Sequence, residues 1–127
     1  MKRSALLQPL SREHHTGLVY VKRLQDLSEQ GSDSMLSYWA GICEAVQTDL
    51  NAHFAEEELL VQGISEPLLN RFQEEHRQLR SLMSAQDAEG VKAFAILLKD
   101  HIRFEERELF PPLEACHYDI LQRNRQR

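Results

Sequence analysis

The chain is poor in residues that break or staple a fold. Five glycines and four prolines among 127 residues exclude a loop-rich or collagen-like chain. The two cysteines, Cys43 and Cys116, stand in different segments without CxxC spacing, which argues against a disulfide framework or a thiolate zinc site and for reduced thiols. No apolar run approaches the roughly 18 residues of a membrane span. The first residues also lack the apolar stretch of a secretory signal, so a cytoplasmic protein is expected. Positive charge is not in excess. The 15 Lys and Arg are scattered among 20 Asp and Glu, for a net charge of -5, which leaves no electrostatic case for nucleic acid or an anionic membrane. No stretch carries a strand pattern. What remains, 42% hydrophobic and 28% charged, is the composition of one globular domain over residues 1–127, long enough to bury a core.

Apolar residues recur at three- and four-residue intervals in four long stretches. The first is expected to start near the capping Ser11 and run to about Gln30, with Leu18, Val21 and Leu24 inward. The second runs from about Ser34 to Gln62 on Trp39, Ile42, Val46, Leu50 and Leu60, after a break at Gly31 to Ser34. The third, from about Glu66 to Ala85, follows Gly63 to Pro67, read as a C-terminal Gly, a capping Ser65 and a first-turn Pro67. The fourth runs from about Ala88 to Phe110, where Pro111 and Pro112 are expected to stop it. A short helix is expected over Leu113 to Gln122, with Asn124 to Arg127 frayed and solvated. The fold expected is all-α: an up-down-up-down antiparallel four-helix bundle, core about 10–112, with a short C-terminal extension.

Two segments share one motif, His53 with Glu57 and His101 with Glu105, each HxxxE. Residues four apart stand one above the other on a helix, so each pair can aim an imidazole and a carboxylate at one point. His53, Glu57, His76, His101 and Glu105 all fall on the inward stripes, and His14 shares the phase of Leu18, Val21 and Leu24 better than His15 does. On adjacent antiparallel helices, residues lie level when equally far from the turn between them. The midpoints of 14 and 53, of 53 and 76, and of 76 and 101 all fall on expected connections. At about 1.5 Å of rise per residue, the four histidines should then share one level.

Four imidazoles and two carboxylates in a core with no inward Lys or Arg carry a large electrostatic conflict, which a bound cation removes. A nitrogen and oxygen ligand set without thiolate suits iron, manganese or zinc, and six ligands are too many for one tetrahedral zinc. A dinuclear site follows, with iron the metal that makes such a site chemically useful. The ExxH pairs of ferritin-like bundles are absent, since Leu50, Gln73 and Leu98 stand three residues before His53, His76 and His101.

Ser11-Arg12-Glu13-His14-His15, the HxxxE of His53 and Glu57, Glu74-Glu75-His76, and the run His101 to Pro111 together resemble the hemerythrin-like family, the HHE cation-binding domain, over roughly residues 10–112. The resemblance implies a non-haem pair of iron ions with an oxo or hydroxo bridge, held by His14, His53, Glu57, His76, His101 and Glu105. It also implies an open position for a small diatomic ligand, dioxygen or nitric oxide. Oxygen-carrying members have a second histidine where this chain has Phe72, and an aspartate five residues after the last histidine in place of HxxxE. The pattern is closer to the branch that includes iron-sensing and iron-sulfur-repair proteins. Phe72 is therefore expected to border an open coordination position. The reading ranks binding or sensing first, a peroxidase-like or repair enzyme second, and an interaction module with a structural metal third. No protein partner can be named.

Other residues are read as bystanders. His15 and His117 are expected at the surface, and most of Glu56, Glu58, Glu106 and Glu108 are expected to point outward. Phe54, Phe104, Tyr20, Tyr38 and Trp39 are expected to serve packing, with the alternative that one of them lines a pocket for a gaseous ligand.

Overall fold

A computed structural model describes residues 3–126, and among them there is no strand. Helix α1 spans Gln8–Gln30, α2 Ser32–Leu60, α3 Leu69–Leu82 and α4 Ala88–Phe104, followed by a π-helical turn over Glu105–Leu109, then α5 Phe110–Cys116 and α6 Tyr118–Arg125. Each of α1 to α4 contributes buried side chains to a common core. Gly31 alone separates α1 from α2, at φ 144° and ψ 153°, a conformation that residues with a Cβ rarely adopt. Its N–H closes on Leu27 O and its carbonyl accepts from Met35 N, so the chain leaves one helix and begins the next within a residue.

The first helix starts three residues before Ser11, with Pro9 in its first turn, where a missing N–H costs nothing. The third starts later than expected. Glu66, Pro67 and Leu68 form a tight turn in which Glu66 Oε2 accepts from Leu68 N at 3.0 Å, and Ser65 caps nothing. Asp87 caps α4 by accepting from Gly90 N at 2.8 Å.

Two apolar clusters fill the interior. Val21, Leu24, Trp39, Val46, Leu79, Phe94, Leu98 and Ile102 belong to the first. Leu7, Leu10, Leu60, Phe72, Phe104, Leu109, Leu113 and Leu121 belong to the second. Each fully buried Leu or Phe stabilises by about 1.5–3 kcal/mol. Along every long helix the histidine falls between a residue of one cluster and a residue of the other: His14 between Leu10 and Val21, His53 between Val46 and Leu60, His76 between Phe72 and Leu79, His101 between Leu98 and Phe104. A charged layer thus lies between two dry ones.

Two expectations for the C-terminal region are corrected. Pro111 and Pro112 do not stop the helical path. Phe110 N reaches Glu105 O across the wider π turn, and the prolines then open α5, whose first turn needs no N–H donors. The tail is not solvated at Asn124, which is 2% exposed. Its amide donates to Leu60 O at 2.7 Å and Gln62 O at 2.8 Å, satisfying carbonyls that the end of α2 leaves without helical partners. Arg127 lies outside the described residues. Asn124→Ala removes both bonds and strands two carbonyls, so the urea midpoint should fall by an amount equivalent to about 1–3 kcal/mol. An unchanged midpoint would show that the tail does not hold α2.

Candidate metal centre

The six expected residues come together. His14, His53, Glu57, His76, His101 and Glu105 are all buried, while His15 is exposed, so the first helix presents His14. Their donor atoms form two groups, His14 and His53 with Glu57 and Glu105, and His76 and His101 with the same two glutamates. Ring centroids lie 4.9 Å apart within each histidine pair.

Each glutamate spans the two groups. Glu57 Oε2 is 3.3 Å from His53 Nε2 and 3.6 Å from His14 Nε2, while its Oε1 is 3.2 Å from His76 Nε2. Glu105 Oε1 is 2.8 Å from His14 Nε2, and its Oε2 is 3.2 Å from His101 Nε2 and 3.8 Å from His76 Nε2. Two imidazole nitrogens and two carboxylate oxygens therefore surround each of two points.

The other ring nitrogens are taken. His14 Nδ1 meets Glu106 Oε2 at 2.7 Å, His53 Nδ1 meets Glu13 Oε1 at 2.7 Å, His76 Nδ1 meets Glu58 Oε2 at 2.8 Å and His101 Nδ1 meets Glu75 Oε1 at 2.8 Å. Carboxylates accept, so each Nδ1–H donates, and in a neutral ring Nε2 is then a lone pair turned inward. All four Nε2 atoms and all four oxygens of Glu57 and Glu105 are buried without a hydrogen-bond partner. Lone pairs facing lone pairs at these separations repel unless a cation lies between them. The donor set therefore fits a pair of metal ions. Where no metal is bound, protons serve instead. Burial pushes the His14 imidazole down, but the carboxylates of Glu105, Glu106 and Glu57 outweigh it and raise its pKa to about 11.

The four outer glutamates follow one rule. Glu13 of α1 holds the histidine of α2, Glu58 of α2 that of α3, Glu75 of α3 that of α4, and Glu106 in the π turn that of α1, which closes the ring. Each stands next in sequence to one of the six inward residues: Glu13 before His14, Glu58 after Glu57, Glu75 before His76, Glu106 after Glu105. One helical step of about 100° turns such a neighbour from the core toward the adjacent helix. The π turn lets Glu105 and Glu106 grip His14 at both nitrogens. Glu58 and Glu106 thus do not point away from the site as expected, whereas Glu56 and Glu108 are exposed. His117 is half-buried at the junction of α5 and α6.

The space beside the centre is one-sided. A cavity of about 260 Å³ touches His14, His53 and His101 and is lined inside by Gly17, Val46, Leu50, Phe54, Leu98 and Ile102. A Cβ at Gly17 would stand 3.3 Å from Ile102 Cδ1, so any larger residue there would need that side chain to shift by a few tenths of an ångström. Phe72 does not border this space. Its ring packs 4.1 Å from that of His76, and the void it shares with Glu57, Leu7, Leu10 and Leu109 is only about 10 Å³. Phe54 also stacks on His76, at 4.1 Å, and unlike Phe72 it lines the 260 Å³ cavity.

The family model of the hemerythrin HHE cation binding domain matches residues 5–113, a span that includes all six inward residues and all four outer glutamates. No curated protein and no solved structure matches the chain.

Proposed function

Since the chain belongs to the hemerythrin HHE cation-binding family, we propose that it holds two non-haem iron ions and binds or senses a small ligand there, dioxygen or nitric oxide, or reports on iron itself. The observation that carries this reading is the set of eight inward nitrogen and oxygen atoms, all buried and all without a hydrogen-bond partner. Two His and two shared carboxylate oxygens at each point suit iron, with manganese and zinc as competitors for the same donors. The level placement of the four rings and the single-residue connection at Gly31 support an up-down-up-down antiparallel order of the four long helices.

An iron pair would supply redox chemistry and coordination positions beyond the four protein atoms at each point. The residues do the rest. Glu57 and Glu105 hold both points at a common spacing, and the outer glutamates fix each imidazole with Nε2 inward. Phe72 and its neighbours close one side. The cavity at Gly17, Leu50 and Leu98 gives the His14 and His53 point the more open approach. The free thiols of Cys43 and Cys116 support a reducing, cytoplasmic setting, and among the described residues no helix is long and apolar enough to cross a membrane.

Protein produced with iron available should carry close to two metals per chain by elemental analysis. The visible spectrum of the reduced protein should change with air or nitric oxide and return on removal. Steady consumption of peroxide would instead favour an enzyme, and a silent spectrum a structural metal. A stoichiometry of one would overturn the dinuclear reading.

A further inference from the structure

We infer that metal ions reach the centre at the His53 corner, through an outer, transient cation site formed by Asp49 and Glu13 at the mouth of the 260 Å³ cavity. This rests on the metal-centre reading and adds a route to it. Three of the four outer glutamates are neutralised. Glu58 accepts from both Arg80 Nη atoms at 2.7 and 3.0 Å, Glu75 pairs with Arg71 at 2.9 Å, and Glu106 lies 3.4 Å from Arg3 Nη2 and also accepts from Ser11 Oγ at 2.7 Å. Glu13 has no basic side chain but His53 against it among the described residues, and it is the most exposed of the four, at 51% against 37%, 29% and 12%. The glutamate on His53 is thus the one that can turn outward without abandoning an arginine.

Asp49 stands one helical turn before His53, so both face the same side of α2. Asp49 and Glu13 are exposed members of the cavity wall, beside Thr16 and Ala52, and no Lys or Arg lines it. At about 260 Å³ the cavity holds far more than a single water, so an arriving ion can keep part of its hydration shell. His14 and His53, each 5% exposed and each with a buried, unpartnered Nε2, are part of its lining. The wider cleft of about 520 Å³ on the Phe72 side, which Glu58 also borders, touches none of the six inward residues, and the void between Phe72 and Glu57 is only about 10 Å³. A cation drawn to the two carboxylates has the His53 ring as its first nitrogen donor, and displacing the bond from Nδ1 to Glu13 frees that ring to turn with the ion.

The test uses Co²⁺ as the probe, because its visible bands report ligand binding without added chemistry. Metal-free full-length protein is mixed with Co²⁺ in a stopped-flow instrument at low and at high salt. Asp49→Asn should slow uptake roughly three- to tenfold at low salt, with the difference collapsing at high salt as screening removes the attraction. Final stoichiometry and final spectrum should match those of the wild type. Asp49→Glu should restore the rate, and Asp33→Asn, the same charge change at the start of α2, should leave it untouched. Wild-type loading rates for Asp49→Asn, or equal slowing by Asp33→Asn, would overturn the route while leaving the centre intact. A wild-type protein that takes up no Co²⁺, or takes it up unchanged after His53→Ala, would overturn the centre itself.

Discussion

Glu105→Ala is expected to leave the protein with less than one metal per chain, whereas His14→Ala should leave about one and His15→Ala both. The asymmetry follows from geometry. His14 belongs to one group of donors, but Glu105 places one oxygen 2.8 Å from His14 Nε2 and the other 3.2 Å from His101 Nε2, so it serves both. Removing it takes a ligand from each point and the link that spaces them. An outer partner of a ligand is worth about ten- to a hundredfold in affinity, and a shared inner ligand should exceed that at each site. Elemental analysis after dialysis reads the result directly. The metal-free variant should also be destabilised by about 3–5 kcal/mol, because imidazolium groups that share Glu105 lose a buried counter-charge. Two retained metals in Glu105→Ala would mean that the carboxylate does not bridge. One retained metal in Glu57→Ala alongside none in Glu105→Ala would mean that the two glutamates are not equivalent.

The inward placement of the six residues was legible because helical periodicity is strong where a face is fully buried. His53, His76 and His101 each sit three or four residues from apolar neighbours, and equal distances from the turns put them at one level without any knowledge of contacts. The outer glutamates escaped because phase alone turns Glu58 and Glu106 away from the core. What draws them back is a partner on the next helix, an interaction between helices that a one-helix pattern cannot contain. Adjacency was the available signal: an acidic residue next to each of four inward-facing residues is a regularity in the sequence. The π turn was hidden by a different cause. Two prolines read as a stop, yet their effect depends on whether the preceding turn can widen, and Glu105 to Leu109 does so with Glu105 and Glu106 both held by His14. Asn124 was missed because a polar residue in a basic tail looks solvated until the open end of α2 is placed beside it. The cavity had no sequence signature, since its walls come from residues of α1, α2 and α4 that only the packed helices bring together.

Raising the pH from 6 to 9 is expected to strengthen metal uptake and weaken the metal-free fold. Burial pushes every one of the four imidazoles down, but the glutamates prevail. His14 rises to about 11, His101 to about 9 under Glu105, Glu75 and Glu57, and His76 to about 8 under Glu105, Glu57 and Glu58. His53 is also raised, by Glu57 and Glu13 against the opposing charge of His14. These folded values lie above the ordinary 6.5, so the imidazolium contribution to stability is complete below pH 6.5 and is lost as the pH climbs through about 8, 9 and 11. Glu57 and Glu105 behave in the opposite sense. Burial raises them, yet the surrounding imidazoles hold both below the ordinary 4.5, so their contribution is complete above that value and is lost in acid. The chelator-treated protein should therefore melt highest between about pH 4.5 and 6.5 and lower at each step above. Metal reverses the trend, because each ion must displace protons from Nε2. At pH 7 the values for His14, His101 and His76 imply release of about three protons per chain on loading. A pH indicator in weakly buffered solution counts those protons, and paired melting curves with and without metal should diverge as the pH rises. Uptake without proton release, or a metal-free protein that gains stability between pH 6.5 and 9, would mean that the buried imidazoles are neutral and that the carboxylates facing them hold the protons instead.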